Sequence, residues 1–484
     1  MHAFQNSGSI LIGLQKRRWH WLWIVLLTTQ LMVSAQSVSP PQSAETVAEA
    51  FIRRALVDRK GYSWLKELSE IGPRLSGSEN SFRAIEWARA RMESLGFDRV
   101  WLQPVMVPRW ERGERETTIA YTGDSPGGIP LSVLALGGSV GTPPEGVQAP
   151  VIQINSFEEL KRRAAEVAGK IVFFNFRMDA GKVYTFAGYG EAVRYRVYGA
   201  IEAAKLGAVG MVMRSITTRY DDVPHTGVMF YADTIPRIPA AALGWQSANR
   251  LEQLLNEHPD VQLQLKLSCR TLPDTLSYNV IGEIRGHERP DEIIVVGGHF
   301  DSWDVGHGAH DDGAGCIQAL EAAELFLRLN IRPRRTIRCV FFINEENGMR
   351  GARVYARYVE QEGEFHYAAI ESDRGAFTPR GFSVTADSVL IAAMQAWIPI
   401  LKKAGIEWIR QGGSGADVSR IPNCPLKFGF VPDSQRYFDV HHSANDVFEA
   451  VHPRELELGS AAMAILTYLL SETDLPVKRP VSTH

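Results

Sequence analysis

Imidazoles and carboxylates gather in short clusters of the C-terminal half: Gly298-His299-Phe300-Asp301, Asp311-Asp312, Glu345-Glu346, Ser372-Asp373 and His441-His442. Imidazole and carboxylate without thiolate is the donor set of zinc used as a catalyst, where a coordination position stays open for water. His299, Glu346, Asp373 and one histidine of the His441-His442 pair hold two such ions if a carboxylate bridges them. Asp311 is the natural bridge, because it directly precedes a glycine-containing helix start where backbone comes close to a cation. Ions about 3.5–4 Å apart clamp both the attacking and the polarised oxygen of a hydrolysis. Neighbouring carboxylates point in different directions, so Glu345 and Glu346 divide the labour: one binds metal, and the other takes a proton from water and passes it to a leaving amine. Asp301, two residues beyond His299, is placed to accept the second imidazole N–H and fix its tautomer. A single acidic pair is normally a solvated surface feature. It is the coincidence of clusters that points to a site.

The surrounding elements explain the coincidence. Apolar runs at Ile293 to Val296, Ile337 to Ile343 and Tyr367 to Ile370 alternate with helical patterns at Gly313 to Leu329, Met349 to Glu360 and Ser388 to Ala404. That rhythm predicts an α/β fold, a mostly parallel central sheet sandwiched between helices, whose ligands bind beyond the carboxyl ends of the strands. Each polar cluster follows an apolar run, opens a helix or lies in a late loop. Upstream, helical patterns at Ala44 to Val57, Tyr62 to Glu70 and Ser81 to Leu95 precede an edge strand at Arg99 to Val105. From about Tyr121 the texture changes to short strands and Gly/Pro turns, with a buried strand at Lys170 to Asn175, a helix at Tyr195 to Leu206 and a strand at Ala208 to Met213. This stretch lacks any cluster of metal-type or nucleophile-type residues and reads as an inserted domain.

Composition removes several classes. Of 484 residues, 52 are Lys or Arg and 55 Asp or Glu, without the basic excess of a nucleic-acid binder. Residues 1–35 read as an export signal: Lys16-Arg17-Arg18, an apolar stretch from Trp19 to Val33, then Val33-Ser34-Ala35 before the cut. The stretch is shorter than the roughly 20 residues a spanning helix needs, so no stable membrane anchor is expected after cleavage and the protein is expected in a periplasm or outside the cell. Cys316 and Cys339 sit in apolar surroundings and read as small buried hydrophobes, and there is no CxxC pair. No Gly-x-Ser-x-Gly falls around a strand-to-helix turn, and HExxH is absent. The Gly412-Gly413-Ser414-Gly415-Ala416-Asp417 loop has no following Lys-Ser/Thr for phosphate and is expected to shape a substrate pocket. His307 and His310 flank the bridge candidate, whereas His225, His258, His287 and His366 read as structural or surface residues.

The motifs Gly298-His299-Phe300-Asp301-Ser302-Trp303-Asp304, Gly308-Ala309-His310-Asp311-Asp312-Gly313-Ala314-Gly315, Arg334-Arg335-Thr336-Ile337-Arg338 and Glu345-Glu346 with Gly348 closely resemble the co-catalytic zinc aminopeptidase family, in its carboxypeptidase Q-like type. The resemblance covers essentially all of the chain beyond the signal. It implies a catalytic domain formed by residues 44–120 and 275–484, interrupted at 121–274 by a protease-associated domain. It implies two zinc ions per chain, one on His299, Asp311 and Asp373, the other on Asp311, Glu346 and His442. Glu345 becomes the general base and Asp301 the supporting acid. His442 rather than His441 follows from register, since the family's last ligand histidine precedes an Asp by four residues, here Asp446. Many members carry Tyr just before that ligand; this chain has His441, whose imidazole N–H is the candidate donor to an oxyanion. The implied substrates are dipeptides or short peptides with a free α-amino group, and a homodimer is compatible with the family. Carboxypeptidase action, glutaminyl cyclase-like ring closure and receptor-like binding without catalysis are the alternatives.

Overall fold

The structure, a computed structural model, describes residues 43–258 and 260–479, so the expected export signal lies outside it. Helices α1 (Ala44–Asp58), α2 (Lys60–Ile71) and α3 (Glu79–Leu95) open the described chain. Ser78 caps α3 by accepting from the Ser81 N–H, and Gly96 ends it in the left-handed region at φ 84°.

The first sheet contains β1 (Arg99–Glu111), β2 (Arg270–Ile284), β3 (Arg289–His299), β4 (Arg335–Phe342), β5 (Phe365–Glu371), β6 (Pro379–Thr385), β7 (Trp408–Gln411) and β8 (Lys427–Pro432), in the order β1-β2-β4-β3-β5-β8-β6-β7. β4, β3, β5 and β8 run parallel, while β1 and β2 form an antiparallel margin. Every residue of β4, and β3 from Glu292 to His299, is buried, as expected for strands covered on both faces. Helices α5 (Ala314–Arg328), α6 (Arg350–Glu362) and α7 (Pro453–Glu472) cover them. Among the described residues no helix is long and apolar enough to cross a membrane.

A second eight-stranded sheet lies within residues 116–267. The strands before and after it, β1 and β2, remain paired from Arg99 with Glu283 to Glu111 with Arg270. The second sheet therefore projects from the end of a continuous two-stranded ribbon. Its helix α4 (Thr185–Ala204) starts ten residues before the Tyr195 expected from periodicity. The extra turns contain Gly188 and Gly190, which weaken the local signal. Packing makes up for it: Phe186 stacks on Tyr437 at 5.4 Å and Tyr189 on Phe438 at 4.8 Å.

The single helix expected over Ser388 to Ala404 is instead broken. An α-helix over Ser388–Met394 gives way to 3-10 turns and a short helix at Ile398–Leu401. Pro399 is the cause, since it has no N–H to donate and crowds the carbonyl four residues back, so it is tolerated only in a first turn. All four cysteines are free, and Cys316 and Cys339 are fully buried in the core.

Candidate metal centre

β3, β4 and β5 end at the same edge of the sheet, and their carboxyl ends deliver His299, Glu345-Glu346 and Asp373 to one place. Asp311 comes from the turn that starts α5. His441 and His442 come from the loop after the short helix Tyr437–Val440. Asp311 sits between two groups. Its Oδ1 is 3.2 Å from His299 Nε2, which is 3.3 Å from Asp373 Oδ1. Its Oδ2 is 3.2 Å from His442 Nε2, which is 3.0 Å from Glu346 Oε2. His441 Nε2 stands farther off, 3.7 Å from Asp311 Oδ2, with its ring stacked on His442 at 3.6 Å.

These groups fit cations. Asp311 Oδ2 and Glu346 Oε1 are buried and accept no hydrogen bond among the described residues, a costly arrangement unless another ligand satisfies them. Donor atoms of His299, Asp311 and Asp373 lie within 4.8 Å of one another, as do those of Asp311, His441 and His442. Burial works against ionising Asp311, yet the imidazoles of His299 and His442 hold its carboxyl well below the usual range. Burial, with repulsion from Asp373, Glu346 and Asp301, pushes Glu345 well above it despite the nearby His299. His442 rises to about 9 against burial because Glu346 and Asp311 favour its cation. His441, buried beside His442, falls well below the usual imidazole value.

Supporting contacts fix this geometry. The expected bond from His299 to the Asp301 carboxylate is not made: His299 Nδ1 faces the Asp301 backbone carbonyl at 3.0 Å. The Asp301 carboxylate instead accepts the Glu345 and Glu346 N–H groups at 3.0 and 3.3 Å. The reason is local, since a residue two positions on presents its carbonyl to the ring while its side chain turns across the sheet to β4. Asp312 accepts the His299 N–H at 3.0 Å, and Asp446 accepts those of His310 at 2.7 Å and Asp311 at 3.0 Å. Buried Arg74 donates to the carbonyls of Phe300, His307 and Gly308 beneath the same loop.

His307 accepts from Phe448 N–H, and His310 accepts from Ala376 N–H and stacks on Phe377 at 4.3 Å. Both hold backbone. The Gly412 to Asp417 loop does not line the cavity: Asp417 is fully buried against Glu371, whose carboxylate accepts the Asp417 and Val418 N–H groups.

The inserted segment, which has no cluster of metal-type or nucleophile-type residues in its sequence, still contributes to the wall of the site. A cavity of about 620 Å³ is lined by His299, Asp311, Glu345, Glu346, Asp373, His441 and His442, but also by Phe186, Tyr189, Arg196, Val228 and Phe230 from the second-sheet unit. His225, read as structural or surface, has Nδ1 2.7 Å from the His441 carbonyl, and the Thr226 N–H donates to the His442 carbonyl at 2.9 Å. That strand-like contact braces the histidine loop. Only the alternation of small and aromatic residues in α4 hinted at a packed face. Tyr437, one turn before His441, also lines the cavity; burial, with the surrounding carboxylates, keeps its phenol protonated.

Comparison with known proteins places this geometry. Residues 279–458 match the profile of peptidase family M28. Carboxypeptidase Q of Homo sapiens is 35% identical over 441 residues, 89% of this chain and 90% of the relative. The crystal structure of the peptidase M28 precursor from Shewanella amazonensis superposes with a TM-score of 0.85 at 35% identity, covering 90% of this chain and 98% of that one. A zinc aminopeptidase from Bacillus subtilis shares the fold, with a TM-score of 0.60 at 19% identity over 84% of this chain and 93% of its own. With two such relatives matched along nearly their whole length, the chain belongs to peptidase family M28.

Proposed function

We propose that the protein is an exported di-zinc exopeptidase that hydrolyses dipeptides or short peptides with a free α-amino terminus. The observation that carries this reading is the position of Asp311, whose two oxygens face separate donor groups at 3.2 Å each. On this reading His299, Asp311 and Asp373 hold one zinc, and Asp311, Glu346 and His442 the other. His442 is preferred to His441 because its Nε2 faces both Asp311 and Glu346. When bound, zinc supplies Lewis acidity that polarises a carbonyl and makes water acidic near neutral pH.

The chain's own groups do the rest. Glu345 lines the cavity and, among the described residues, pairs with no cation, so it takes a proton from water and delivers it to the leaving amine. Asp301 holds Glu345 and Glu346 through their backbone, a positioning role. The imidazole of His441 donates to the oxyanion. Residues 44–120 and 275–484 form the catalytic domain, and the protease-associated insert 121–274 walls one side of the cavity. A volume of about 620 Å³ suits a short peptide rather than a folded protein.

The test is a dipeptide library and its N-acetylated copy, incubated with zinc-loaded protein and read by mass spectrometry. Cleavage of the free-amine set alone, abolished by a chelator, is expected. Cleavage of the acetylated set would replace this reading with a carboxypeptidase, and cleavage of neither would favour ring closure or binding.

A further inference from the structure

The two ligand histidines of the proposed centre are held from different parts of the molecule. His299 Nδ1 faces the Asp301 carbonyl at 3.0 Å, so its acceptor comes from its own loop. His442 Nδ1 faces the Thr226 carbonyl at 3.3 Å, and Thr226 belongs to the insert, 216 residues away in the chain. Arg196 Nη1 is equally close to that nitrogen, but a guanidinium offers only donors. When Nε2 faces a cation, Nδ1 carries the hydrogen, and the Thr226 carbonyl is the acceptor for it. The His442 backbone leans on the same segment. Its φ of 59° lies in the left-handed region, which a residue with a Cβ occupies only where its surroundings hold it. The Thr226 N–H donates to the His442 carbonyl at 2.9 Å, and His225 Nδ1 lies 2.7 Å from the His441 carbonyl.

The Thr226 segment is in turn fastened to the loop that follows His299. The Thr226 hydroxyl donates to the Ala135 carbonyl at 2.8 Å, and Arg112 Nη1 donates to the same carbonyl at 2.6 Å. Arg112 forks onto Asp304, its Nε and Nη2 donating to the two carboxylate oxygens at 2.8 and 2.6 Å. Glu116 closes the ring, accepting from Arg112 at 3.0 Å and from the Ala135 N–H at 2.8 Å. Beside the fork, Trp303 lies edge-on to the His442 ring at 5.8 Å and against Gly137, where any Cβ would collide with the indole. Trp303 and Asp304 close the motif that begins at Gly298, and neither is a metal donor.

We infer that Thr226 is a positioning residue for the second zinc site, and that the Arg112–Asp304 fork holds the insert where Thr226 sets the His442 ring. The insert thereby completes the Asp311, Glu346 and His442 set, whereas the His299, Asp311 and Asp373 set is complete without it. This rests on the two-zinc assignment above and not on turnover.

The experiment measures zinc affinity, by competition with a chelator, in two single-site proteins: Asp373→Ala, which leaves Asp311, Glu346 and His442, and Glu346→Ala, which leaves His299, Asp311 and Asp373. Thr226→Val, Thr226→Ser and Asp304→Asn are added to each. Thr226→Val and Asp304→Asn should lower affinity by about 10- to 100-fold in the Asp373→Ala protein, with Thr226→Ser close to its parent. In the Glu346→Ala protein all three should stay within about twofold, as for independent sites. An equal fall in both proteins, or a fall in neither, would overturn the inference and leave the peptidase reading standing. If the Asp373→Ala protein binds no zinc, the wild type decides: Thr226→Val should weaken one of its two ions, and weakening of both or of none would overturn the inference. A wild type that takes up a single ion would end the two-zinc reading; the positioning role then stands if Thr226→Val and His442→Gln both weaken that ion, and falls if Thr226→Val does not.

Discussion

Asp446 shows how the centre depends on a residue that binds no metal. Its carboxylate accepts the N–H groups of His310 at 2.7 Å and Asp311 at 3.0 Å, holding the turn from which Asp311 reaches between the two donor groups. Asp446→Asn keeps one acceptor and turns an amide NH2 toward the other N–H. A hydrogen bond to a charged group contributes about 1.5–3 kcal/mol, so losing one and leaving its donor unpaired should cost about 2–4 kcal/mol. Asp446→Ala abandons both donors and should cost more. The assay is denaturant unfolding of zinc-free protein at about pH 8.5, above the value of about 7 to which burial pushes this carboxyl, so that the wild type is ionised. Because the loss falls on the Asp311 backbone, zinc affinity should also drop by about 10- to 100-fold, as when other supporting residues of metal sites are removed. An Asp446→Asn protein within about 0.5 kcal/mol of the wild type, with unchanged zinc affinity, would refute this account of how Asp311 is aimed.

Other outcomes follow from the same contacts. His441→Phe should lower kcat by about 10²-fold with zinc retained, the scale of one oxyanion donor; loss of zinc would instead mean that His441 is the ligand. Tyr437→Phe is the control, and a fall in kcat there but not in His441→Phe would assign the donor to the phenol that lines the same cavity. Within α7, burial and the adjacent Glu321 push Glu457 up to about 10. From its ordinary range up to that value the folded protein keeps a proton the unfolded chain has lost. Stability therefore falls as pH rises across that window, by at most about 1.4 kcal/mol per pH unit for this group. Glu457→Gln should flatten the decline and melt higher than the wild type at about pH 9; parallel melting curves would contradict it.

The metal-type residues were legible in sequence because each lies beside a local signal. His299, Glu346 and Asp373 follow apolar runs that could only be buried strands, and Asp311 precedes a helix start. What each side chain does after arriving was less legible. Asp301 sits two residues from His299, yet spacing cannot say whether its carboxylate or its carbonyl meets the ring; the pairing of β3 with β4 decides that. Least legible was the far wall. Tyr189, Arg196 and His225 lie more than 200 residues from the His441-His442 loop in the chain, and meet it only because the paired β1 and β2 carry the second sheet over the cavity. Their segment contains no run of ligand-type residues, so no local pattern marks them. The broken helix at Pro399 is a different miss, since its cause was in the sequence but its apolar spacing outweighed one proline.

The central claim is that Asp311 joins two zinc sites served by Glu345. The most direct test is titration of zinc into chelator-stripped protein, following bound metal by native mass spectrometry and Ala-Leu hydrolysis together, for the wild type and Glu345→Gln. The account expects both proteins to take up two zinc ions, activity in the wild type to be complete only when both are bound, and Glu345→Gln to lose about 10²- to 10⁴-fold in kcat. A single bound ion at full activity, or near-normal turnover by Glu345→Gln, would contradict it.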